Sequence, residues 1–218
     1  MKKNRSSGVS AIEFAFSLLV MGRLLLGTGV IGINMIRALQ VVQLARDAGH
    51  MYARGIDFSL PGNQTVLGDL GSNVGLSTTA GQGNAVVIFS SLTYIDKNAC
   101  AAAGAVDASG NPTAACTNYT KWVFAQRLSM GNTSVHGSNF GTPSGVTIGS
   151  DGKISTTDQA TKAGDQATFS GVNPYSVNNG VASGLPSGQV LYLAEASALG
   201  FNMPPFVSNA KTYEFGFF

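Results

Sequence analysis

The chain is poor in charge. Only 11% of its 218 residues are Asp, Glu, Lys or Arg, against ~25% in typical soluble domains. Lys2, Lys3 and Arg5 supply three of the thirteen bases, so from Val9 onward ten bases face eleven acids. A near-neutral remainder lacks the basic footprint of a nucleic-acid-binding surface, and no nucleic-acid partner is expected. There are two histidines, His50 and His136, and two cysteines, Cys100 and Cys116. None falls into an HExxH, zinc-finger or CxxC spacing, which argues against a transition-metal site. Neither a GxSxG elbow nor a GxxxxGK[ST] phosphate loop occurs. The expectation is a chain that is no enzyme and takes no cofactor or metal. Asp151 and Asp158 bracket DGKISTTD, which lacks the spaced ligands of a calcium loop and reads as a solvated turn.

Proline is also missing from the first sixty residues. All seven prolines lie from Pro61 onward, with twenty-one of the twenty-eight glycines. Nothing before Pro61 therefore forces a helix to stop, and residues 9–56 read as one rod of roughly 72 Å at ~1.5 Å per residue. Residues 14–33 carry a single charge, Arg23, and ~20 such residues cross a ~30 Å hydrocarbon core. The basic residues ahead of this run predict a cytoplasmic N-terminus and export of the chain beyond it. Past Ile33 the rod turns amphipathic, with Leu39, Val42, Ala45, Ala48, Tyr52 and Ile56 on one face and Arg46, His50 and Arg54 on another. Asp57, Ser59, Pro61 and Gly62 are expected to end it.

Glu13 breaks the apolar run at its edge, where a lone carboxylate is costly. It stands five residues after Gly8, which closes a short basic leader, and Phe14 comes directly after it. This constellation, GVSAIEFAF ahead of a long apolar helix and then ARDAGHMYARG, resembles the type IV prepilins, and among them the TadE-like branch of tight-adherence pilus proteins. The resemblance covers residues 1 to about 56. It implies cleavage between Gly8 and Val9 by a prepilin peptidase and assembly through Glu13 and Phe14, together with the inner-membrane machinery, into filaments of like or related subunits. The α-amine created at Val9 is one partner for Glu13. Arg23 is another, but it lies ~15 Å away along one helix, so the two could meet only between staggered helices. The main rival is a secretory signal peptide cut near Gly29, against which Glu13, Arg23 and the unbroken helical pattern all speak.

Residues 27–32, GTGVIG, match the GxGxxG dinucleotide fingerprint, and Asp47 lies at a plausible distance beyond. That fingerprint needs a strand before the turn and a second strand delivering the acid, whereas Asp47 lies in a helical pattern. The small residues read better as packing positions: Gly22 and Gly29 share a face, and Thr28 and Gly32 form a small-xxx-small pair.

Residues 57–218 form the expected exported domain. Four stretches rich in aromatic and β-branched residues read as strands: 85–95, 121–130, 189–198 and 212–218. Without a βαβ rhythm, the fold class is α+β, a long helix on an antiparallel sheet. Cys100 and Cys116 flank an Ala/Gly-rich loop and are expected to be bonded in an oxidising compartment. Residues 131–188 form a Gly/Ser/Thr/Asn-rich loop insertion with turns at SDGKIS and NPYSVNNG. Phe140, Val146, Ile148, Ile154, Phe169, Val172 and Tyr175 are its expected anchors. Glu195, inside VLYLAEASA, is expected to alternate onto the solvent face. The domain plan is thus a leader at 1–8, a helix at 9–56 (membrane or filament core to 35, amphipathic after) and a β-rich domain at 57–218. The resemblance implies an inner-membrane precursor and then a cell-surface filament, with the domain as its outer, adhesive face. A bitopic membrane protein that binds without polymerising is the alternative.

Overall fold

A computed structural model describes the backbone of residues 7–169, 175–178, 181–184 and 189–218, and the side chains of residues 12–169 and 189–218. Residues 1–6 of the expected leader and the anchor Val172 lie outside the described residues, as do the surroundings of Gly8 and the side chains of Val9 and Tyr175. The elements are α1 (Ser7–Ala53), α2 (Pro61–Leu70), β1 (Ala85–Tyr94), α3 (Lys97–Ala102), β2 (Trp122–Gly131), α4 (Thr156–Thr161), β3 (Tyr175–Asn178), β4 (Val181–Gly184), β5 (Val190–Leu199) and β6 (Lys211–Phe217). The class is α+β: β2, β1, β5 and β6 make one antiparallel sheet in that order, and β3 and β4 pair as a hairpin.

Helix α1 runs without a break but stops three residues before the expected Ile56. Gly55 takes a left-handed backbone (φ 84°), its N–H bonds Tyr52 O at 2.9 Å, and Ile56 N–H bonds Met51 O at 3.1 Å. These two bonds form a Schellman cap, which satisfies carbonyls the helix end would leave open. Pro61, expected as a stop, instead opens α2, where its missing N–H costs nothing.

The expected buried face of α1 holds at Ala45, Ala48 and Tyr52 but not at its start. Val41, Leu44, Ala45, Ala48 and Tyr52 are buried, whereas Leu39 is 64% exposed. They pack with Phe89, Ala194, Ala196 and Ala198, so small residues on both sides let the helix sit close to the middle of the sheet. Tyr52 lies against Phe89 (5.1 Å between ring centroids) and Phe58 stacks on that same ring at 4.3 Å. Fully burying a side chain of this size stabilises by ~1.5–3 kcal/mol.

The second face of the sheet is covered too. Leu191 and Leu193 of β5 join Trp122, Phe124, Phe140 and Ile154 in a separate buried cluster, with Val146, Phe169 and Phe217 packed against it. The chain after β2 therefore lies on the sheet, although Ile148 among its expected anchors is exposed. Strand β2 carries a bulge where the register slips between Ser91 and Leu92. Ala125 is the extra residue, and its carbonyl accepts from Ile154 N–H at 3.0 Å. A disulfide joins Cys100 to Cys116 across a Cα–Cα distance of 5.6 Å. Asn118 stitches the Cys116 turn to α4, donating to the Gln159 and Lys162 carbonyls at 2.8 and 2.7 Å.

Phe218 locks the sheet to the helix. Its N–H and carbonyl both pair with Tyr192, and its ring meets His50 edge-on at 4.8 Å. A Cβ on residue 49 would overlap that ring, so Gly49 is required by close approach. Gly49→Ala should displace Phe218 and destabilise the full chain in detergent by roughly 1–3 kcal/mol, as overpacking does. Phe218→Ala should cost stability alone yet remove most of the penalty of Gly49→Ala, a coupling that denaturant titration of the four chains measures.

Candidate functional site

The first half of α1 is the largest surface with no cover of its own. Phe14, Phe16, Leu19, Met21 and Leu24 are each 60–67% exposed and Leu25 is 73% exposed, and they lie all round the helix. A helix apolar on every side belongs in hydrocarbon or among other helices. Helix α1 is long and apolar enough to cross a membrane.

Glu13 and Arg23 lie exposed on this surface and pair with no described residue. Gly8 and Val9 fall in the first turns of α1 by their backbone. A Cβ at Gly22, Gly29 or Gly32 would meet nothing within 4 Å, so those three positions are open within one chain. Thr28 turns its hydroxyl back onto the Leu24 and Leu25 carbonyls at 2.6 and 3.1 Å. Residues 27–32 sit wholly inside α1, with no strand before them among the described residues, so they do not form a dinucleotide turn. The helix is likewise continuous through Gly29.

Cover begins at Gly27, where Phe206 comes within ordinary contact of the position a Cβ would take. Val30 is buried. Asn34 clasps the Phe201 backbone twice, accepting from its N–H at 2.7 Å and donating to its carbonyl at 3.1 Å. Arg37 donates to the Leu199 carbonyl at 3.0 Å. None of these contacts is visible in the sequence, because they link residues more than 160 positions apart.

A second feature corrects the expected place of Glu195. Its side chain is 1% exposed, because the chain after β2 covers the face onto which it alternates. One carboxylate oxygen accepts from Tyr213 OH at 2.7 Å and Asn139 N–H at 3.0 Å, and the other from Ser138 Oγ at 2.5 Å. Arg127 stands 3.8 Å away. It donates to Ser90 Oγ at 2.6 Å and the Gly141 carbonyl at 3.1 Å. Burial lowers the Arg127 pKa and Glu195 opposes that shift; burial and the bond to Glu195 both raise the Tyr213 pKa. Every polar group in this cluster is engaged, and it ties residues 138–141 to the sheet. A Glu and an Arg inside two apolar strand stretches were the signal that could have disclosed it.

Asp165 is the opposite case. It is fully buried, and neither carboxylate oxygen has a hydrogen-bond partner among the described residues. Burial, with a smaller contribution from Asp158, pushes its pKa up to about 8. Asp151 and Asp158 serve turns: Asp151 accepts from Lys153 N–H at 3.0 Å, and Asp158 from Thr147 N–H at 3.0 Å. Among the described residues no three His, Cys, Asp or Glu side chains are grouped as metal ligands. A shallow groove lined by Asp47, His50, Met51, Arg54 and Leu70 runs between α1 and α2.

No protein-family model, curated protein or solved structure matches this chain.

The two buried acids respond differently to substitution and to pH. Glu195→Ala leaves a buried guanidinium uncompensated and should cost ~3–5 kcal/mol in denaturant titration, whereas Glu195→Gln, which keeps acceptor capacity, should cost less. Asp165 holds its proton in the fold up to about pH 8, but ionises near ~3.9 when unfolded. Between those values the unfolded chain binds fewer protons, so its contribution to stability is lost as pH rises through that window. Asp165→Asn should therefore raise Tm at pH 8 and change it little at pH 4.

Proposed function

We propose that this chain is a structural pilin or pseudopilin subunit of a type IV-like, tight-adherence surface filament. It is made as an inner-membrane precursor with a cytoplasmic N-terminus, cut by a prepilin peptidase between Gly8 and Val9, and assembled through α1 with other copies or related subunits. The observation that carries the reading is the bare apolar first half of α1, joined by one continuous helix to a folded domain. The leader-like spacing of Gly8, Glu13 and Phe14 adds to it.

Such a helix has two environments that satisfy it. Lipid chains cover it in the precursor, and neighbouring helices replace them in the filament without loss of apolar contact. Gly22, Gly29 and Gly32, open within one chain, would let those neighbours approach closely. Glu13 gives the exchange a direction, because a carboxylate without a partner is costly in hydrocarbon. An α-amine at Val9 or Arg23 of an adjacent subunit would relieve that cost only after assembly. The β-rich domain would then form the outer, adhesive surface.

The test joins processing to assembly. N-terminal sequencing of the chain from sheared surface fibres should begin at Val9, and imaging should find the subunit within those fibres. Glu13→Ala should enter the membrane normally and fail to assemble. A chain that keeps residues 1–8 and stays in the membrane fraction without fibres would favour the bitopic, non-polymerising reading instead.

A further inference from the structure

The loop joining β5 to β6, residues 200–210, is GFNMPPFVSNA and carries no charged side chain. Phe201 is 38% exposed and Phe206 36% exposed, with Pro204 and Pro205 exposed between them. Such a cluster at a loop tip is not explained by the domain's own core. Its place along α1 is fixed by two contacts, Phe206 at Gly27 and Phe201 on Asn34. The loop therefore lies beside a stretch of helix that rises ~10 Å.

That stretch closes the apolar run 14–33, with Asn34 the first residue beyond it. Residues 14–26 alone rise only ~20 Å, short of the ~30 Å hydrocarbon core, whereas 14–33 are long enough. A span of the required length thus carries the loop into the outer boundary of the bilayer. The loop's backbone suits that place. From 203 to 207, the Met203 N–H bonds the Val207 carbonyl, and the Phe206 and Val207 N–H groups both bond the Met203 carbonyl. Pro204 and Pro205 have no N–H to satisfy. The tip thus leaves no N–H that needs water, while the Pro204, Pro205 and Phe206 carbonyls, which accept no backbone bond among the described residues, keep it at the hydrated headgroup level and out of the hydrocarbon centre. Arg37 and Lys211, which flank the loop, donate to the Leu199 and Val135 carbonyls.

We propose that this loop is a membrane-interface anchor, with Phe201, Met203 and Phe206 seated in the headgroup–acyl boundary beside α1. The depth, set by the Gly27–Asn34 stretch, falls within the ~5–10 Å that interfacial apolar faces reach. The proposal rests on the reading that α1 crosses a bilayer. It adds that the exported domain lies down on the membrane rather than standing off it on a free stalk, with residues 27–34 and the loop entering as one unit.

Lipid-borne quenching tests it on the full chain. Trp122 is the single native tryptophan and is buried, so its emission in the unaltered chain sets the background. Phe206→Trp, Leu19→Trp and Tyr119→Trp are reconstituted separately into phosphatidylcholine–phosphatidylglycerol vesicles brominated on the upper acyl carbons. The added emission at 206 and 19 should be largely lost, and that at 119, on the exposed domain surface, should persist. Quenching at 19 without quenching at 206 would overturn the loop's role and leave the membrane span standing. Absence of quenching at 19 would remove the span and the loop proposal with it. Emission at 206 that is unquenched, shielded from water and restored to a wet spectrum on dilution would assign the loop to a second copy of the chain and overturn the anchor.

Discussion

Everything in this fold depends on how closely α1 approaches β5. Ala45 and Ala48 share one buried cluster with Ala194, Ala196 and Ala198, and side chains that small let the two backbones approach. That short distance is what allows Phe218 to close over Gly49 and Tyr52 to reach Gln126, its hydroxyl donating to Oε1 at 2.8 Å. A methylene added at any of these positions would be felt across the sheet, because a core packed to crystal-like density has no slack to absorb it. The same contact divides α1. From Val41 on, the helix has its own domain as a partner, and from Ile12 to Leu26 its residues are all exposed.

A sheet held on one face by a helix would ordinarily present its other face to water. Here the chain after β2 folds back over it, and β5 is buried on both sides. The polar consequence is the Glu195 cluster. A carboxylate forced under that cover must find donors, and it finds them on Ser138, Asn139 and Tyr213, with the Arg127 guanidinium as its counter-charge 3.8 Å away. Such a buried pair need not add net stability compared with apolar packing, but it is severely unforgiving of a missing member. Its effect is positional: the covering segment can lie on the sheet in one register only. Asp165, buried without donors, holds its proton instead.

The two halves of α1 place the domain relative to whatever surrounds the first half. Asn34 and Gly27 hold the loop of Phe201 and Phe206 along the helix, so the domain is not a free body at the end of a rod. On the proposed reading, insertion of the helix and seating of the loop would be one event, and withdrawal of the helix into a filament would expose or re-cover the loop at the same time. Arg46 and His50 on α1, and Arg54 just past its end, are exposed beyond the stretch that holds the loop.

Local chemistry was enough to read much of this chain. The long helix, the four sheet strands to within a residue or two, and the disulfide between Cys100 and Cys116 come from apolar periodicity, β-branched and aromatic content, and compartment logic. The helix end is misplaced by the same logic: the polar residues after Ile56 point to a later stop, with Pro61 as a breaker, although the intrinsic backbone preferences of Gly55 and Pro61 favour a stop at the first and a start at the second. What the sequence could not decide was which surfaces meet. Leu39 and Val41 are both apolar, and only the position of the sheet makes one exposed and the other buried. Alternation along β5 places Glu195 opposite the alanines but is silent on whether that side is wet, because the answer lies with residues 138–141. The hold of Phe206 on Gly27 and of Asn34 on Phe201 spans nearly the whole chain. Periodicity is a property of neighbours in sequence, whereas burial is set by what arrives from far along it, and only the tertiary structure supplies the second.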